Sequence, residues 1–145
     1  MRDRPLVYAA HPVTSYGTDV ERRALDVIAS WVPGARVIDP AIRYRDTAEW
    51  LDDWPILAPT LAALVVFGDG DATVGTGCLS ELADAWRHGI PVAMLDAAGL
   101  FRRLSGLRIL PDAVRDRFRT ARLVPGGRVD PGRLLAVSRS PGGRR

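Results

Sequence analysis

The stretch that most constrains the fold runs from Val65 to Val92. A short apolar run, Val65-Val66-Phe67, is followed by ten residues from Gly68 to Gly77 that contain four glycines. Leu79, Leu82, Ala83 and Trp86 then recur at helical spacing, and Gly89-Ile90-Pro91-Val92 stops the helix and opens another apolar run. Brief Val-rich runs suit parallel strands covered on both faces, and Gly then Pro is a helix stop. The stretch therefore reads as strand, glycine loop, helix, strand. Open α/β sheets bind ligands at the carboxyl ends of such strands, where a helix N-terminus favours anionic groups. Glu81 is expected off the apolar face and near the loop, where an acidic side chain also complements the helix dipole.

Elsewhere the same alternation recurs. Leu6-Val7-Tyr8-Ala9-Ala10 reads as a strand and His11 to Gly17 as the loop at its end. Thr18 with Glu21 three residues later is a capping box. Val20, Ala24, Val27, Ile28 and Trp31 form the buried stripe of the helix it opens, which Pro33-Gly34 ends. Arg36 to Asp39 is a second strand. Tyr44 to Leu57 is an amphipathic helix with an acidic face and an expected break or kink at Pro55. Leu61 to Phe67 and Pro91 to Asp96 are the third and fourth strands. A short helix is expected around Leu100 to Leu104, another from Pro111 to Phe118, a fifth strand at Ala121 to Val124, and a last helix from Asp130.

These elements predict an α/β domain: a parallel sheet of about five strands in flavodoxin-like, Rossmann-like order, with helices on both faces. One domain covers residues 1–139, and residues 140–145 read as a disordered tail. No run is long enough for a membrane span, and Met1-Arg2-Asp3-Arg4-Pro5 lacks a leader pattern, so a cytoplasmic protein is expected. The lone Cys78 rules out an internal disulfide and reads as a small buried hydrophobe. All 20 basic residues are arginine and the net charge is +3, but no aromatic ladder accompanies them, so nucleic acid ranks last among partners. The first loop has no G-x-G-x-x-G, which excludes a dinucleotide fingerprint.

Gly75-Thr76-Gly77, Glu81-Leu82-Ala83-Asp84-Ala85 and Gly89-Ile90-Pro91-Val92 together resemble the nucleoside deoxyribosyltransferase-like superfamily, over most of Leu6 to Asp96. The glycine loop is a residue or two longer here. The resemblance implies cleavage of the N-glycosidic bond of a nucleoside or nucleoside monophosphate, by hydrolysis or transfer. It implies Glu81 as nucleophile on the anomeric carbon and Tyr8 as the group that holds its carboxylate. Asp53, or Asp52 in its place, would contact the sugar or protonate the base. Gly75, Thr76 and Gly77 would offer N–H groups to a 5′-phosphate, and His11 would touch base or phosphate. No cofactor is implied, and no metal, since His11 has no evident partner ligand in sequence. Homo-oligomers are implied, with Trp50 and Trp54 as candidate interface anchors, or else as ordinary core residues. A non-catalytic nucleotide sensor is the alternative. A lysine-decarboxylase-like phosphoribohydrolase is another, although its leading Pro-Gly-Gly is missing.

Overall fold

The computed structural model describes residues 4–31 and 34–138. The expected helix stop at Pro33 and the expected tail from Ser140 lie outside the described residues. Strand β1 (Leu6–Ala10) is followed by a 3-10 turn (Val13–Ser15) and helix α1 (Asp19–Trp31). Strand β2 (Arg36–Ile38), helices α2 (Pro40–Arg43) and α3 (Thr47–Leu57) and strand β3 (Ala63–Val66) come next. Then follow β4 (Thr73–Val74), α4 (Thr76–Arg87), β5 (Val92–Leu95), β6 (Phe101–Ile109), β7 (Ala121–Arg128) and α5 (Pro131–Ser138).

All seven strands lie in one sheet of order β2-β1-β3-β5-β6-β7-β4. β2, β1, β3 and β5 run parallel; β6 and β7 continue the sheet antiparallel, and β4 closes its edge against β7. The α/β class holds, while the expected five-strand parallel sheet is replaced by a mixed one. The difference lies in Phe101 to Ile109, a strand where a short helix was expected around Leu100 to Leu104. Its apolar residues Phe101, Leu104 and Leu107 fall three apart, which mimics a helical face. In the sheet Phe101 enters the core under α1 while Leu104 and Leu107 pack on the opposite core, and of the register shifts between Arg102 and Leu104 and between Leu104 and Gly106 the second lets Leu104 and Leu107 share a face. The helix expected from Pro111 is a single turn. Val114 and Arg115 donate to the Pro111 carbonyl, but the Asp116 carboxylate takes the N–H groups of Phe118 and Arg119 and turns the chain.

Side chains alternate across the parallel strands into two cores. Tyr8, Ala10, Leu64 and Val66 face Trp54, Leu57, Leu82 and Ala85 of α3 and α4. Val7, Ala9, Ala63 and Val65 face Ala24 and Ile28 of α1 and Leu135 of α5. The capping box at α1 forms with a variation: the Glu21 N–H donates to Thr18 Oγ1 (3.3 Å), while the Glu21 carboxylate takes the N–H of Gly17 rather than that of Thr18 (3.0 Å). α3 is capped by Asp46, whose Oδ1 accepts from the Glu49 N–H (2.9 Å), and it runs past Pro55 to Leu57 without the expected break. No helix of the described residues is long and apolar enough to cross a membrane.

Neighbours β2 and β3 leave β1 in opposite directions, so the carboxyl end of β1 is a topological switch point. The first loop and the start of α4 converge there.

Candidate functional site

A cavity of about 530 Å³ opens at this switch point. Its wall includes His11, Tyr16, Tyr44 and Trp50, the start of α4 from Gly75 to Cys78, Glu81, and Arg117 with Phe118 from the β6–β7 connection. Glu81 lies on the buried face of α4 with Cys78, Leu82 and Ala85, while Ala83 and Trp86 are exposed. The expected helix face is thus rotated, and Glu81 is neither off it nor in the first turn, so complementing the dipole is not its role.

The Glu81 carboxylate is 4 % exposed. Tyr8, implied by the resemblance as its partner, donates its hydroxyl to Glu81 Oε2. Trp50 donates its indole N–H to the same oxygen at 2.8 Å. No donor among the described residues binds Oε1, and that oxygen is not sealed off, so it is free to meet a ligand in the cavity. Burial raises the Glu81 pKa from its ordinary value near 4.5 to about 7, against the lowering effect of the Tyr8 and Trp50 bonds. Burial and the adjacent Glu81 hold the Tyr8 phenol well above its ordinary range, so it stays a hydrogen donor.

Trp50 is a site residue that sequence spacing did not indicate. It and Trp54 were expected either as interface anchors or in ordinary core packing. Trp54 packs in the core, donating its N–H to Asp84 at 2.8 Å, and Trp50 turns its own inward to Glu81. Asp53 does not line the cavity. It accepts from Arg43 Nε (2.8 Å) and from the Tyr44 hydroxyl (2.6 Å), and these bonds lower its pKa. Its link to the cavity runs through Tyr44. Asp52 does not line the cavity either.

Gly75, Thr76 and Gly77 do line it. The Thr76 N–H and hydroxyl, however, both donate to the Arg117 carbonyl, at 2.9 and 3.1 Å. Gly75 is required by that same contact: a Cβ there would stand 2.5 Å from the Arg117 carbonyl oxygen and 2.7 Å from Phe118 Cα. The expected phosphate cradle therefore also docks the β6–β7 connection, which brings Arg117 to the cavity wall. Arg117 stacks on the Phe118 ring (4.4 Å) and has no carboxylate partner among the described residues. Cys78 is buried, and burial pushes its thiol pKa up, away from nucleophilic use.

His11 is fully engaged, contrary to the expectation that it lacks partners. Its ring stacks on Phe67, Nδ1 meets Ser15 Oγ at 2.8 Å, and Nε2 faces Asp39 Oδ1 at 2.9 Å and Glu21 Oε2 at 3.7 Å. These partners lie 10 and 28 residues away, on α1 and at the cap of α2, beyond the reach of local spacing.

No protein-family model matches this chain, and no curated protein and no solved structure matches it.

Proposed function

We propose that the protein cleaves the N-glycosidic bond of a nucleoside or nucleoside monophosphate, with Glu81 as nucleophile and water as the final acceptor. One observation carries the reading: a buried carboxylate at the switch-point cavity, held through one oxygen by Tyr8 and Trp50 and presenting the other. Breaking an N-glycosidic bond builds positive charge at the anomeric carbon, and a carboxylate beside that carbon stabilises it. Oε1 attacks C1′; the C1′–N bond breaks and its electron pair leaves with the base, which takes a proton from water. Water then attacks C1′ of the glycosyl ester, releasing the sugar and restoring Glu81. Tyr8 and Trp50 fix the carboxylate throughout. Arg117, without an acidic partner among the described residues, supports a phosphorylated substrate. The resemblance in Gly75-Thr76-Gly77 and Glu81 points to the same chemistry. Transfer to a second base in place of water is the variant to distinguish.

A non-catalytic nucleotide sensor is the second reading. It is favoured by the raised pKa of Glu81, since a carboxyl titrating at about 7 is about half protonated at neutral pH and then donates to a ligand instead of attacking it. Incubation with a panel of nucleosides and nucleotides, followed by chromatography for free base, decides. Free base from any member supports the enzyme; tight binding without release favours the sensor; neither binding nor release sinks both. Self-association belongs to the same proposal, supported by exposed Ile42, Leu51, Ile56 and Trp86, and light scattering of a monomer would count against it.

A further inference from the structure

We infer that His11, Glu21 and Asp39 form a binding site for a divalent transition-metal ion, with Zn²⁺ the best match. One ligand atom from each residue lies within 4.8 Å of the other two, and the His11 side chain is fully buried. The hydrogen-bond pattern fixes the histidine tautomer. Ser15 Oγ donates to the Pro12 carbonyl at 2.8 Å, because a carbonyl can only accept. The same hydroxyl oxygen must then accept from His11 Nδ1. A proton therefore sits on Nδ1, and Nε2 is the ring nitrogen turned to the two carboxylates. Holding the far ring nitrogen in this way is what protein partners do for metal-bound histidines.

A cation held between the three groups would meet all of them at once. A second proton, on Nε2, would serve Asp39 at 2.9 Å but not Glu21 at 3.7 Å. Glu21 Oε2 would stay as it is among the described residues: the buried side-chain oxygen without a hydrogen-bond partner. Leaving such an oxygen unpaired is costly. A metal ion satisfies all three groups. Tetrahedral zinc at about 2.0–2.1 Å from each ligand sets ligand atoms about 3.4 Å apart, between the 2.9 and 3.7 Å at which the two carboxylates stand from Nε2. One imidazole nitrogen with two carboxylate oxygens suits zinc or manganese better than magnesium or calcium, which take oxygen alone. The ion would tie the loop after β1 to α1 and to the cap of α2. It would brace the cavity wall at His11 without touching Glu81.

The test uses the full chain, stripped with chelator and dialysed, then titrated with Zn²⁺ and followed by calorimetry, metal analysis and melting temperature. Two isosteric variants keep the surrounding structure: Glu21→Gln retains the bond to the Gly17 N–H, and Asp39→Asn remains a good helix cap. One bound ion per chain is expected in the parent at micromolar metal, with a melting temperature that rises with concentration. Loss of a mere supporting group commonly weakens a metal site about 10–100-fold, so loss of a direct ligand in either variant should weaken it at least about 100-fold. No uptake by the parent, or equal affinity in parent and variants, overturns the assignment. Melting of the metal-free variants shows that they are folded, so a lost site is not mistaken for a lost fold.

Discussion

Glu81→Gln separates the cost of the buried carboxylate from its use. The substitution preserves shape, and the amide oxygen can still accept from Tyr8 and Trp50 while its NH₂ faces the cavity. In the folded protein the Glu81 pKa is raised to about 7 by burial, from an ordinary value near 4.5. Below about pH 4.5 the carboxyl is protonated folded and unfolded, and burial costs nothing by this route. Between about 4.5 and 7 the unfolded chain ionises first, so stability falls as pH rises. Above about 7 the loss is complete, and at about 1.4 kcal/mol per unit it amounts to about 3 kcal/mol. The amide of the variant does not titrate, so the variant should match the parent near pH 4 and exceed it by about 3 kcal/mol at pH 8. For a chain of this size that is roughly 6–12 °C in melting temperature. At pH 8, where Glu81 of the parent is ionised, base release should fall at least about 1,000-fold, since the nucleophile is gone. Thermal melts across pH and a base-release assay on the same preparations provide both readings. Other groups titrate alike in both proteins and cancel in the difference. Parallel stability curves would refute the burial argument, and retained turnover would refute the nucleophile.

Three further outcomes are expected. Trp50→Phe removes the 2.8 Å donor to Glu81; a hydrogen bond to a charged group is worth about 1.5–3 kcal/mol, so the rise of kcat/KM with pH expected near 7 from Glu81 ionisation should move up by about one to two units. A pH–rate profile unchanged by the substitution would mean that the indole does not support the charged form. Asp53→Ala should slow base release only roughly fivefold, the worth of about 1 kcal/mol lost with the bond to Tyr44, and steady-state kinetics showing a collapse of kcat would place Asp53 in the chemistry. Gly75→Ala should destabilise by about 1–3 kcal/mol, because the new methyl group would meet the backbone of Arg117 and Phe118; a denaturant midpoint equal to the parent's would refute that contact.

The parallel half of the sheet was legible because local signals agreed there. Apolar runs at Leu6, Ala63 and Val92, the Thr18–Glu21 cap and the Gly89-Ile90-Pro91 stop all name the same elements that form. The site was legible only where its residues follow one another in the chain. Apolar periodicity counts a carboxylate as surface, so it turned α4 the wrong way. Glu81 can enter the core only because donors 31 and 73 residues away, Trp50 and Tyr8, meet it there. The same holds for His11, whose partners arrive from α1 and the cap of α2. The segment from Phe101 to Ile109 was illegible for a different reason: Phe101 enters one core and Leu104 and Leu107 the other, and register shifts against β7 interrupt the alternation of two.

The least legible part of the chain is also what makes a cavity out of a switch point. Parallel strands and α4 alone would place Glu81 at the edge of the sheet, with solvent on its open side. β6 and β7 extend the sheet, and β4 pairs with β7, so the connection between β6 and β7 returns over the start of α4. There the Arg117 carbonyl takes both donors of Thr76, and Phe118 and the Arg117 guanidinium complete the wall. Excluding water on that side keeps Glu81 in the low-dielectric surroundings that raise its pKa and strengthen its attraction for a developing positive charge. The glycine loop thus has two tasks that pull against each other. Its helix start faces the cavity, but its first side-chain-bearing residue is spent on docking the wall. A phosphate at this site would have to rely on Gly77, Cys78 and Arg117 more than on Thr76.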